Sequence, residues 1–269
     1  MKTSKGGSLT SLLRIHRVIL YNAALIIILF VVWEAIAKII QSRFFPSFTD
    51  VIEAAVRVIT VGDVEGIKLH EHAVASILRV LAGFVLACIT GISLGLMMGL
   101  RRQTYDASKS IIESVRFIPP IAWIPLVYIL LSGYSRYILI IWLGAFFPIL
   151  LNTIAGIKRT SPILVDVAKS FGADNKSTVS KVVIPSALPE TVAGVRIGLG
   201  IGWMCIVAAE MIGGEMIGLG RLIMKAAELL QTDVVIVGMV TIGLIGLLMN
   251  ETFLRFEKRF FRWRVEVKM

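Results

Sequence analysis

The side chains that could do chemistry are those whose charge sits badly with their surroundings. Glu34, Lys38, Glu113, Arg116, Arg196 and Glu210 all fall within or beside long apolar stretches. Burying a charge in such surroundings costs several kcal/mol and marks a pair, a pathway or a relay. Glu34 and Lys38 are four apart and pair along one helix face, a structural use. Glu113 and Arg116 lie close to the basic end of their stretch, where long side chains snorkel or pair. Arg196 stands one to two turns into its stretch. Two readings stay open for Glu210: an interfacial carboxylate reaching headgroup water, or a group on a solute pathway. The Pro119-Pro120 pair breaks helical hydrogen bonding, which a membrane tolerates only against protein or a water-filled cavity. A cavity near Pro119, Pro120 and Trp123 is therefore expected, with Arg196, Trp203 and Glu210 as further candidates for its lining.

Other reactive types point away from catalysis. His70-Glu71-His72 places its histidines two apart, on different sides of a helix, whereas a zinc helix needs them four apart. A solvated outer segment is the expectation there. Cys88 and Cys205 belong to different apolar stretches and read as small buried hydrophobes. The sequence has no G-x-x-x-x-G-K-[ST] loop, so if ATP is used, it and its Mg²⁺ are expected on another chain and no cofactor on this one. Gly198-x-Gly200-x-Gly202 lies inside an apolar stretch with no strand before it, and reads as helix packing. Without a nucleophile and base, or paired intramembrane aspartates, an intramembrane enzyme has little support.

The elements that must position these residues are membrane helices. The 269 residues are 57% hydrophobic and 17% charged, with a mean hydropathy of +0.84, outside the range of soluble domains. A spanning helix needs about 20 mostly apolar residues. Six stretches qualify: 20–40, 77–100, 111–131, 137–157, 191–213 and 234–254, the third interrupted by Arg116 and the proline pair. The first is too long for a signal-peptide core, and no small-x-small site follows it. The net charge of +10 is topological. Eighteen Lys and Arg residues fall in one set of alternating loops and tails, six in the other, so both termini are expected in the cytoplasm. That bias argues against nucleic acid as a partner. The expected plan is an all-α integral membrane protein: a basic cytoplasmic tail over 1–18, a membrane domain over 19–254 and a second basic tail over 255–269.

Between the spans, 46–75 carries Phe48, Val51, Ile52, Ala55, Val56 and Ile59 at helical spacing, an amphipathic helix on the outer interface. A turn follows at 62–66. The segment 214–233 repeats Leu219, Leu222, Ile223, Ala226, Ala227 and Leu230, a half-inserted helix. Gly83, Ala87, Gly91, Gly95 and Gly99, and likewise Gly194, Gly198 and Gly202, recur every fourth residue, faces that let helices approach closely in a tight bundle or a dimer.

The stretch 162–189 is different: helical, half-apolar and basic, on the cytoplasmic side. Ser161 can cap a helix starting at Pro162, with Leu164, Val167, Ala168 and Phe171 as one apolar stripe. Gly172 ends that helix, Asp174 caps a second, and Pro185 stops it. A membrane protein with such an elbow is offering it to a partner. The run D-V-A-K-S-F-G, nine residues, then V-V-I-P resembles the EAA loop (E-A-A-x3-G-x9-I-x-L-P) of ABC importer permeases. Asp166 stands for the Glu, Val167 and Ala168 for the alanines, and Gly172 for the glycine. Val182, Ile184 and Pro185 take the closing positions. Segments 116–126, 144–156 and 194–213 are similar to permeases of the nitrate/sulfonate/taurine group.

The resemblance implies the smaller type I importer permease fold, a homodimer around a central pathway, with loop 158–190 as its coupling loop. It implies two ABC ATPase subunits bound from the cytosol and an extracytoplasmic substrate-binding protein, all in a cell (inner) membrane. Asp166, Val167, Ala168, Phe171, Gly172, Ala173, Asp174 and Pro185 would then form the contact to the ATPase. The implied solute is small and anionic, of the sulfonate, nitrate or taurine kind. The competing reading is a self-sufficient secondary transporter or channel, which would call for inverted repeats and a midplane ion site. No convincing repeat is visible in the sequence.

Overall fold

The computed structural model describes residues 6–42 and 44–260, with side chains over 20–42 and 44–259. Lys2, Lys5, Arg43, Arg262, Arg264 and Lys268, and the side chains of Arg14 and Arg17, lie outside the described residues. Eleven α-helices run along the described residues: α1 (Gly6–Ile40), α2 (Phe48–Thr60), α3 (Leu69–Leu100), α4 (Arg102–Arg116), α5 (Ile124–Leu130), α6 (Tyr134–Lys158), α7 (Pro162–Ser170), α8 (Asn175–Thr178), α9 (Ile184–Ile212), α10 (Leu219–Glu228) and α11 (Thr232–Phe260). The described residues form no strand. Among the described residues, five helical segments are long and apolar enough to cross a membrane, and a sixth passes only as a bent pair. Within α1, the backbone helix continues through 6–18, so the basic tail is not separate from the first span.

That bent pair corrects the bounds of the third stretch, expected over 111–131: it starts at Arg102 and breaks where the proline pair interrupts it. Helix α4 and the segment Pro120–Leu130 meet at 84°. Proline pushes the residue before it out of the helical region, and Pro119, held by Pro120, is extended at φ −57°, ψ 136°. A second correction concerns Pro185, which does not stop a helix. A π-turn over Val179–Val183 joins α8 to α9, giving one helical run from Asn175 to Ile212. The wide turn carries the Ile184 N–H back to the Val179 carbonyl, and Pro185, in the first turn of α9, has no N–H to place. The span expected from 191 thus begins well before it.

Helix α6 is the buried centre. Its partners are set by residues that lack a Cβ. A Cβ on Gly83, Gly91, Gly95 or Gly99 of α3 would lie 2.5–2.9 Å from side-chain atoms of Ile141, Ile149, Thr153 and Ile157 in turn. The offset is constant, so α3 and α6 run parallel. On an adjoining face of α6, Gly194 faces Asn152, Gly198 faces Ala145 and Ile149, and Gly202 faces Ile141, an antiparallel register with α9. Lipid tails are as apolar as leucine, so such close contact, not hydrophobicity, holds the three helices together.

These directions give the bundle two ends. The elbow end carries Leu100, Lys158 and the start of the α8–α9 run. The far end carries α2, the starts of α3 and α6, and α10. Helix α2 does not simply lie on an interface. Its Val51, Ala54 and Val58 are buried with Leu222, Ala226, Val234 and Val237 of α10 and α11, while Ile52, Val56 and Ile59 face outward. A capping box fixes its start: Ser47 Oγ accepts from Asp50 N, and Asp50 accepts from Ser47 N. Helix α10 packs Leu219, Leu222, Ile223 and Ala226 inward, as its sequence pattern requires. Helix α1 touches little beyond α2. Glu34 pairs with Lys38 at 2.9 Å as expected and also accepts from Thr49 N and Oγ1.

Replacing Gly91 by Leu should force α3 from α6 and cost about 1–3 kcal/mol of overpacking. Gly200 has open space around its Cβ position, so Gly200→Ala should be neutral or slightly stabilising. Thermal unfolding of the two variants in one detergent checks the contrast, and equal melting temperatures would sink the packing assignment.

Candidate functional site

At the elbow end, the chain leaves α6, folds out as α7 and returns through α8 into α9. Ser161 is extended, and its carbonyl accepts from Leu164 N at 3.1 Å, but its hydroxyl makes no capping bond, so the α7 start is set by backbone and by Pro162. The end of α7 is a 6→1 closure: Ala173 N donates to Ala168 O at 3.0 Å and Gly172 N to Lys169 O at 2.9 Å. Gly172 sits at φ +83° with nothing near its Cβ position, so backbone conformation alone demands glycine. Asp174 caps α8 by accepting from Ser177 N at 3.0 Å. Hydrogen bonds from the Ser177 side chain and backbone hold the Asp174 carboxyl below its ordinary value, outweighing a small opposing effect of desolvation.

This elbow has two faces. Val165 packs toward Ile157, Val183 and Ala187 at the foot of the bundle. The other face leaves Ile163, Leu164, Val167 and Phe171 exposed, Phe171 to 88%. Asp166 is exposed beside them, while Ala168 and Ala173 are half-buried. At the base, Arg159 Nη1 donates to Glu190 Oε1 at 2.8 Å, and Gly156 abuts the Ala187 carbonyl. The two arms of the elbow are clasped where they leave the bundle. Large exposed apolar side chains on a capped helix beyond the spans mark an interaction surface.

The expected pathway residues are not gathered in one place. Pro119 is exposed and Pro120 and Trp123 are half-buried at the α4–α5 break. Trp203 is buried, its Nε1 donating to Ile242 O of α11 at 3.2 Å. Arg196 lies 3.9 Å from Glu257 of α11, and with Trp203 and Asn250 it lines a cavity of about 40 Å³. Glu113 lies 4.0 Å from Lys109 rather than beside Arg116, whose guanidinium covers the Phe117 ring.

Glu210 is not an interfacial carboxylate. It is fully buried at the far end. Arg79 Nη1 donates to its Oε1 at 2.7 Å and also to Ile217 O at 2.7 Å. Ser76 Oγ donates to Glu210 at 2.8–2.9 Å and accepts from Leu219 N. Gly220 N donates to Glu210 Oε2 at 3.1 Å. Nor is His72 solvated: its Nδ1 accepts from Gly218 N at 3.0 Å. That leaves the ring proton on Nε2, 3.2 Å from Asp63 Oδ2. Thus Gly218, Leu219 and Gly220, the cap and first residues of α10, place their N–H groups on side chains of α3 and α9. Helix α10 has no capping side chain of its own. Sequence reasoning overlooked Arg79, although it is a charge within the second apolar stretch, the same signal that singled out Glu210.

Comparison with known proteins places these features in a family context. The model of the family described as the inner membrane component of binding-protein-dependent transport systems matches residues 91–262. A Methanocaldococcus jannaschii protein named as an ABC transporter permease is 41% identical over 88% of this chain and 90% of its own length. The taurine transport system permease protein of Escherichia coli is 34% identical over 90% of this chain and 88% of its own. The bicarbonate transport system permease protein of Synechococcus elongatus is 33% identical over 68% and 66%.

Asp174→Ala should fray α8 and leave the spans intact, read as lost amide-exchange protection around Ser177. Because the folded carboxyl is more acidic than its ordinary value of 3.8, its capping contribution is complete above that value and fades as pH falls through the lower folded value. Wild-type protection should therefore decline at acid pH while the variant shows no such step. A pH-independent wild type would contradict the cap.

Proposed function

This chain belongs to the family of binding-protein-dependent transport system inner membrane components, and on that footing we propose that it is the transmembrane permease subunit of an ATP-driven importer, coupled to separate ATPase subunits through the elbow. It is a multi-pass membrane protein and a transporter subunit of the ABC class rather than an enzyme. The observation that carries the coupling role is the outward row of Ile163, Leu164, Val167 and Phe171 on the capped helix α7. An ATPase groove would cover that row, with Asp166 and Lys169 at its polar rim. Of the residues expected to meet it, Asp166, Val167, Phe171, Gly172 and Asp174 are exposed, and Ala168 and Ala173 are half-buried. Pro185 lies inside the helical run behind and serves its geometry rather than the contact.

In this reading, two copies of the chain enclose the pathway, each elbow seats one ATPase subunit carrying ATP and Mg²⁺, and a binding protein delivers solute at the far end. The elbow end is cytoplasmic, in keeping with the basic residues of its loops. Both described ends of the chain lie there, since α1 and α11 run to and from the far end. The break at Pro119, Pro120 and Trp123 is the most exposed of the sites proposed to face the pathway. Arg196 is a further candidate, while Trp203 and Glu210 act on it through helix packing. The solute is proposed to be a small anion: the relatives named for taurine and for bicarbonate both handle anionic groups, and the chain offers Arg196 within a span.

Reconstituted with its ATPase and binding protein, the chain should accumulate a small anion, with taurine and nitrate as probes, only when ATP is present. Uptake by the chain alone, driven by a gradient, would favour a secondary transporter and overturn the proposal. Gly172→Val, which forces a β-branched residue to φ +83°, should leave the protein inserted but abolish ATPase capture and uptake. Normal capture and uptake would remove the elbow from the mechanism.

A further inference from the structure

The elbow and the Glu210 cluster are the two ends of one object. The run Asn175–Ile212 is 38 residues long, about 57 Å at 1.5 Å per residue. Asp174 and the elbow lie at one end, and Glu210 two residues from the other. At the far end this rod meets groups on different elements: Arg79 and Ser76 on α3, and the N-terminus of α10. The meeting is polar and directional. Gly218, at φ +153°, leaves 2.5 Å between its Cβ position and the Glu210 carboxyl carbon, so α10 begins directly against that carboxylate. Hydrogen bonds of 2.7–3.1 Å weaken steeply with misalignment. A tilt of the rod that carried Glu210 away from α3 and α10 would break the Gly220 N bond and leave Arg79 without its charge partner together. Such a contact is made or broken, not stretched.

We propose that Glu210 is a positioning residue of a far-end latch, in which the Arg79–Glu210–Ser76 cluster pins the α9 rod to α3 and α10 and so restrains the elbow at the opposite end. The proposal rests on the permease reading above. With the latch closed, the far end is shut and the ATPase subunits are held in their slow state. Rod movement that brings them together must first open the cluster, and docking of the loaded binding protein at the far end lowers that barrier. The Arg79 Nη1 bond to Ile217 O extends the latch to the 213–218 loop, the segment of the cluster at the far surface.

The test compares wild type, Glu210→Gln and the double variant R79Q/E210Q in complex with the ATPase subunits, with no binding protein or solute added. Glutamine keeps the shape of Glu210 but removes the charge. The double variant also removes the stranded arginine charge, so it should restore folding if the single variant is unstable. The latch requires ATP hydrolysis without binding protein to rise about ten-fold in both variants, a coupling of the usual size, while ATPase capture stays normal. A variant complex that assembles yet hydrolyses ATP at the wild-type rate overturns the proposal, and so does failure of both variants to assemble, which would make the cluster a staple. A wild-type chain that captures no ATPase would instead defeat the permease reading itself.

Discussion

A membrane bundle cannot rely on burying oil away from water, because its surroundings are already oil. Its helices hold together through contact area, and contact area depends on how closely backbones approach. In this chain that constraint is met by the small-residue face of α3, which lies on α6 at a constant 58-residue offset from Gly83 to Gly99. Thr153 and Ile157 of α6 fill the room that the missing side chains leave. The same helix receives α9 on an adjoining face, where Gly144 meets Cys205 and Gly156 meets Ala187. With α6 enclosed, the remaining helices have freedom: α1 and α11 show mostly apolar side chains outward, the surface a lipid tail requires.

The polar groups follow from the same solvent. Inside such a bundle a charge persists only with a partner, and a helix start only with acceptors for its first N–H groups. The far end solves both needs at once. Glu210 neutralises Arg79 and stands at the positive end of α10, accepting from Gly220 N. Ser76 supplies an acceptor to Leu219 N, and His72 one to Gly218 N. A carboxylate placed there stabilises two elements that share no covalent neighbour. At the elbow end, water is available, and the solutions are local: the turn closing at Gly172 and the Asp174 cap.

Much of this was legible in the residues themselves. The apolar blocks, the elbow with its glycine stop and aspartate cap, and the small-residue faces all appear as spacing along one chain, and local rules read them. What could not be read depends on which elements meet. His72 looks like part of a wet segment until Asp63 and Gly218 are brought to it from positions far along the sequence or across a turn. Glu210 looks interfacial until α3 supplies Arg79. Pro185 looks like a stop because the rule assumes an α-helix, and the π-turn at Val179–Val183 changes the ladder before the proline arrives. The break at Pro119-Pro120 was visible, but its 84° angle was not, since sequence fixes where a helix breaks and packing fixes how far it turns.

The helix that crosses all of this is α9 with its α8 extension. A helix interrupted by proline would absorb motion at the break. Here Pro185 falls in the first turn of α9, just after the π-turn that carries the Ile184 N–H to Val179 O, and Pro189 lies one turn further on within a continuous helix. The helical run is thus continuous across the region where sequence alone predicts a stop. The α4–α5 segment does the opposite: two adjacent prolines, followed by a 3-10 turn over Pro120–Trp123, leave a sharp bend and exposed apolar residues, Phe117 among them. One chain thus carries proline both within a continuous helical run and at the break of a span. The rod links elbow to far end, and the broken span supplies the irregular backbone that a solute pathway needs.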